Sequence, residues 1–209
     1  MVVTRRLGDL ACGVDVGGPR KGFDLAVLRR HRHADRWELV FLERVPQAQQ
    51  VVRRLGQCGG PRSILAVGVD APESPAAPSE RRRPSELLVH RTICGIRWTP
   101  DEAAMATNPA YYGWLRQGFQ LWATLRRASY LGDQVVEVFP TAAWTRWCGP
   151  RGNRSRAAWS TQGLAGLPID GLPARTNQDQ RDALAAALVA GTFALAGCPH
   201  GPTWPIVIP

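Results

Sequence analysis

The sequence predicts an α/β protein built on a mixed five-stranded sheet of order 3-2-1-4-5, with helices on both faces. Three observations predict it. The first three apolar runs are joined by short turns, as in an antiparallel meander. Two later runs are each preceded by segments of helical spacing, which is how parallel strands are connected. The run Ser63–Val69 is apolar throughout, as in a strand covered on both faces.

Residues 10–17 read as strand 1, and Gly17-Gly18-Pro19-Arg20-Lys21-Gly22 as a turn. Phe23–Leu28 returns as strand 2 and Trp37–Leu42 as strand 3. Gln47–Leu55 has helical spacing and stops at Gly56. Strand 4 is Ser63–Val69. Residues 71–84 are a Pro/Ser/Ala loop ending in Arg81-Arg82-Arg83, read as a solvated face. Ser85 is placed to cap a short helix over Glu86–His90. Tyr111–Tyr130 is a longer amphipathic helix, with Trp114, Leu115, Phe119, Trp122 and Leu125 as a core-packing stripe. Gln134–Phe139 is strand 5, ended by Pro140, and Thr141–Trp147 begins another helix. Residues 149–156 read as loop. Asn177–Leu195 is the clearest helix, filled with Ala and Leu. The tail Trp204–Pro209 reads as an extended segment along a sheet edge.

The chain has 209 residues, a length that fits one domain over 1–209. Hydrophobic residues make up 44% and charged residues 21%, so a disordered chain is excluded. The net charge of +9 favours a polyanionic partner such as nucleic acid, although Lys21 is the only lysine and an arginine bias can also raise the charge. Five scattered cysteines form no CxxC and no Cys/His cluster, which indicates neither a zinc site nor a disulfide framework. The N-terminus lacks an apolar core of signal-peptide type, and no stretch of about 20 apolar residues could span a bilayer. A cytoplasmic protein with no membrane partner is the expectation. Oligomeric state is open.

The chemistry lies in acids at the ends of apolar runs. Asp15 closes Cys12-Gly13-Val14-Asp15-Val16, Asp70 closes Ile64–Asp70, and Glu137 sits in Val135-Val136-Glu137-Val138. Asp179 and Asp182 share a face of the last helix at i, i+3. An ionised carboxylate in an apolar strand is costly unless a cation or hydrogen bonds compensate it. Several together suggest a metal-holding cluster. Each also has a plainer reading. Asp15 could close its turn, Asp70 could start a turn at Ala71-Pro72, Glu137 could pair with an arginine, and Asp179 could serve the helix dipole.

The ordered set of motifs resembles the DUF429 family of predicted ribonuclease-H-like nucleases. The residues carrying it are Gly13-Val14-Asp15, Val69-Asp70-Ala71-Pro72, Gly95–Pro100, Asn108-Pro109 with Tyr112-Gly113-Trp114, Glu137–Pro140, Asn177–Leu188 and Ile206–Pro209. The resemblance implies a ribonuclease-H-like fold and a two-metal nuclease using Mg²⁺ or Mn²⁺. Asp15 would then bridge both ions. Asp70 and Glu137 would bind one each, and Asp182 with Asp179 would complete the second site. Arg20, Lys21, Arg91 and Arg97 are the candidates for holding substrate phosphates, DNA or RNA being the expected partner. Two other functions fit the same residues. One is nucleotide binding in the manner of actin and sugar kinases, through the Gly17-Gly18 turn. The other is a non-catalytic nucleic-acid scaffold.

Overall fold

The computed structural model describes residues 8–32, 34–196 and 206–207. Its sheet is built from β1 (Leu10–Val16), β2 (Phe23–Arg30), β3 (Trp37–Val45), β4 (Ile64–Asp70), β5 (Val135–Val138), β6 (Ile169–Asp170) and β7 (Ile206–Val207). The order is β6-β3-β2-β1-β4-β5-β7. The expected 3-2-1-4-5 core is therefore present, with a two-residue strand added at each edge. β1, β2 and β3 form the antiparallel meander, while β1, β4 and β5 run parallel. Ile206 and Val207 of the tail lie beside β5, as the extended reading anticipated; the rest of the tail, like His33, lies outside the described residues.

The helices are α1 (Ala48–Gln57), α2 (Pro84–Thr92), α3 (Glu102–Thr107), α4 (Gly113–Arg127), α5 (Pro140–Cys148), α6 (Arg156–Ala165) and α7 (Gln178–Ala196). Alternation along β1 divides the core. Leu10, Cys12, Val14 and Val16 pack with α1 and α4 on one face. Ala11 joins α6 and α7 on the other. The aromatic stripe of α4 is core packing: Leu115, Trp122 and Leu125 are buried, and Trp114 packs against the same cluster.

Two local expectations needed correction, and one short helix was not anticipated. Ser85 lies inside α2, whose N-cap is Arg83, because Pro84 takes the first helical position. α3 is too short to show a periodic pattern. α6 begins inside the stretch read as loop, with the Ser155 hydroxyl accepting from the Ala158 N–H.

The position of α7 matters most. It lies almost directly on the sheet because β1 and β4 offer glycine where it crosses. A Cβ on Gly13 would overlap the backbone of Ala183 and Ala187, and one on Gly68 would overlap that of Ala186. The alanines of α7 complete this close approach. The first turns of the helix are thereby set over the C-terminal ends of β1 and β4.

Candidate carboxylate site

Asp15 and Asp70 are register partners on adjacent parallel strands. Period two puts Asp15 on the face of Ala11 and Gly13, the face that α7 covers. The start of α7 is fixed by a reciprocal cap. Gln180 N–H donates to Asn177 Oδ1 and Asn177 N–H donates to Gln180 Oε1, both at 2.9 Å. That cap sets Asp179 in the first turn and Asp182 one turn deeper.

Three acids on these elements are raised by burial and by nearby acids. Burial, then Asp182 and Asp179, push the Asp15 carboxyl up to about 8, against a partial lowering by Lys21. Burial, then Asp15 and Asp182, hold Asp70 well above the ordinary carboxylate range. Asp182 is also raised, by burial foremost, and Arg156 and hydrogen bonds oppose the shift. Its Oδ1 accepts from Trp144 Nε1 at 2.8 Å and from Gln178 Nε2 at 3.0 Å, and its Oδ2 from Arg156 Nη2 at 2.8 Å. Asp182 is thus held in one orientation by α5, α6 and its own helix.

Asp179 is differently placed. Lys21 Nζ lies 2.6 Å from its Oδ2 and Arg44 Nη2 lies 3.0 Å from the same oxygen. Arg44 also holds Asp24, with Nη2 at 2.8 Å and Nε at 2.9 Å from Oδ2. Asp24 is the register partner of Asp15 on β2 and is only 1% exposed. Its Oδ1 is buried with no partner among the described residues. One ligand atom each from Asp15, Asp24 and Asp179 fall within 4.8 Å of one another.

Glu137 is turned elsewhere. Val136 and Val138 face α7, so period two sends Glu137 to the opposite side of β5. There its two oxygens accept from Arg83 Nη1 at 2.8 Å and Nη2 at 2.6 Å. Arg83 also bonds Glu86, which accepts from the Thr99 N–H at 2.9 Å. The plainer reading of Glu137, an arginine partner, describes its geometry.

The expected phosphate-binding residues are dispersed. Lys21 faces the acids. Arg20 and Arg91 are exposed and make no ion pair with them among the described residues, and Arg97 donates to the Tyr111 hydroxyl at 3.0 Å. The arginines that reach the acids are Arg44 and Arg156, and Arg156 also lines a cavity of about 340 Å³ with Arg151, Thr141, Thr145 and Trp159.

Asp24, Arg44 and Arg156 were not singled out by the sequence, and Arg83, read with Arg81 and Arg82 as a solvated face, is instead largely buried against Glu137. Asp24 carried the same signal as Asp15, an acid in an apolar strand, and Ser155 before Arg156 carried a helix-start signal. Arg44 had none that separated it from the other arginines.

The donor set fits a hard divalent cation. It is all oxygen, partly or wholly buried, and short of positive charge around Asp15 and Asp70.

The sheet order, the helices on both faces and the acids at adjacent strand ends define a ribonuclease-H-like fold. Among solved structures, the chain is similar to Thermus thermophilus RuvC in complex with Holliday junction substrate, with a TM-score of 0.52 and 16% identity over 90% of this chain and 96% of that one. A second T. thermophilus RuvC structure matches with a TM-score of 0.44 at 17% identity, covering 89% of this chain and 96% of that one. No protein-family model matches, and no curated protein does, so the DUF429 family remains a resemblance of motifs.

Proposed function

We propose that the chain is a divalent-metal-dependent nuclease acting on nucleic acid through Asp15, Asp70 and Asp182. The observation that carries this reading is the pairing of Asp15 and Asp70 across adjacent strands beneath α7, each raised by burial and by the other acids. Such a pair calls for a cation. Mg²⁺ or Mn²⁺ bound there would polarise a phosphoryl oxygen and lower the pKa of a bound water. Asp15 and Asp70 would hold it, as one or two carboxylates with waters suffice for Mg²⁺. Asp182, fixed by Trp144, Gln178 and Arg156, would orient its surroundings. Arg156 would take a substrate phosphate, because it is half exposed and borders the cavity beside the acids. Glu137 stays with Arg83 in this reading.

A nucleic-acid substrate is supported by the +9 charge and by the fold shared with a structure described with Holliday junction substrate. The nucleotide-binding reading is weakened by the Gly17–Gly22 turn. Its Gly17, Lys21 and Gly22 N–H groups already donate to carbonyls within the turn, so they are not free to cradle phosphate.

The test is cleavage of labelled four-way-junction DNA, duplex DNA, single-stranded DNA and RNA in Mn²⁺. Wild type is expected to cut at least one substrate, with cleavage lost in Asp15→Asn and Asp70→Asn while folding persists. Wild-type protein that binds none of the panel and cuts none would sink the proposal.

A further inference from the structure

The half of the site nearest β2 holds a cation of the protein's own. Asp15, Asp24 and Asp179 come from β1, β2 and α7, and their ligand atoms are spaced as if around a single ion. The Lys21 ammonium reaches this group from the β1–β2 turn. Its Nζ is 2.6 Å from Asp179 Oδ2. Arg44 closes the far side, bonded to Asp24 and Asp179 together. The charges of Asp24 and Asp179 are therefore balanced by Lys21 and Arg44. Arg156 pairs with Asp182 at 2.8 Å, and no ion pair to Asp15 or Asp70 is present among the described residues, which leaves that half of the site to one divalent ion.

The sequence makes the same point independently. Lys21 is the only lysine among the 26 Lys and Arg residues. A guanidinium is a planar fork, whereas an ammonium is a compact point charge with three donors. Of the two, the ammonium is the better substitute for a metal ion among carboxylates. The turn that delivers it is tight: Gly17 N–H donates to Gly22 O at 2.9 Å, and Gly22 adopts φ +74°, where a side chain would be strained.

We propose that the Lys21 ammonium, backed by Arg44, occupies the position of a second divalent cation, so that each chain binds one metal ion and not two. This rests on the metal-nuclease reading above. Lys21 then acts as a built-in cation that holds Asp179 in place. It is not one of the groups that meet substrate phosphate, as the sequence had suggested.

The experiment counts bound Mn²⁺ by electron paramagnetic resonance, with the metal alone and no nucleic acid, in wild type and in Lys21→Met. Lys21→Gln is a second variant, and thermal melts confirm that all three are folded. One uncoupled ion per wild-type chain is expected. Both variants are expected to bind two, a twofold rise, with the spectrum broadened by coupling between close ions. Two ions in wild type, or one ion in wild type and in both variants, would overturn the inference and leave the nuclease reading standing. No bound Mn²⁺ in wild type would overturn both.

Discussion

Asp15 is surrounded by other acids, and its protonation responds to all of them. Its carboxyl is pushed up to about 8 from an ordinary 3.8, and Asp70, Asp182 and Asp24 shift the same way. A raised folded-state pKa stabilises the protein fully below 3.8, and that contribution is lost as pH rises through about 8. In chelator-treated buffer the melting temperature should therefore fall from pH 5 to pH 8. Asp15→Asn should flatten that slope and raise the melting temperature at pH 8, and added Mn²⁺ should flatten it in wild type. A wild-type slope of the opposite sign would contradict the assigned shifts. Glu137 gives a second residue-level expectation. Arg83→Ala leaves a mostly buried carboxylate unpaired and should cost about 3–5 kcal/mol by denaturant unfolding. Glu137→Gln should leave the number of bound Mn²⁺ ions unchanged, whereas a metal ligand at this position would lower it.

Among the elements, α7 governs the site through its contact with the sheet. Gly13→Ala introduces a methyl group where backbone already lies, and the helix has to lift. The cost should be about 3 kcal/mol, the upper end for overpacking. The displacement should also weaken Mn²⁺ binding, since Asp182 rides on the same helix. The readouts are a chemical denaturation curve and a metal titration. α6 was not legible because its Ser155 cap lies in a Gly- and Arg-rich stretch whose composition reads as loop. β6, at two residues, is held by the sheet edge and carries no local pattern of its own.

For the whole molecule, the net charge of +9 gives the proposed function a further test. A basic protein that binds nucleic acid releases counterions, so affinity for a four-way junction or duplex should fall steeply as salt rises. If Arg156 takes a phosphate as proposed, replacing it should lessen the slope of log affinity against log salt by roughly one. Salt-independent binding would argue against an electrostatic interface. No helix among the described residues is long and apolar enough to cross a membrane.

The central strand order, and the position of Asp15 and Asp70 at the ends of adjacent strands, were legible in the sequence, because both are local signals. Apolar runs of strand length, short turns and crossover helices limit the topology, and an acid closing such a run stands out against its neighbours. Which acids meet was decided by tertiary structure. One residue of alternation turns Glu137 away from α7 and toward Arg83, and hairpin register brings Asp24 beside Asp15. The roles of the basic residues were likewise hidden in a chain rich in arginine. Lys21, Arg44 and Arg156 differ from the others only in what the fold sets opposite them, and electrostatic partnership depends on distance through space, not on spacing along the chain.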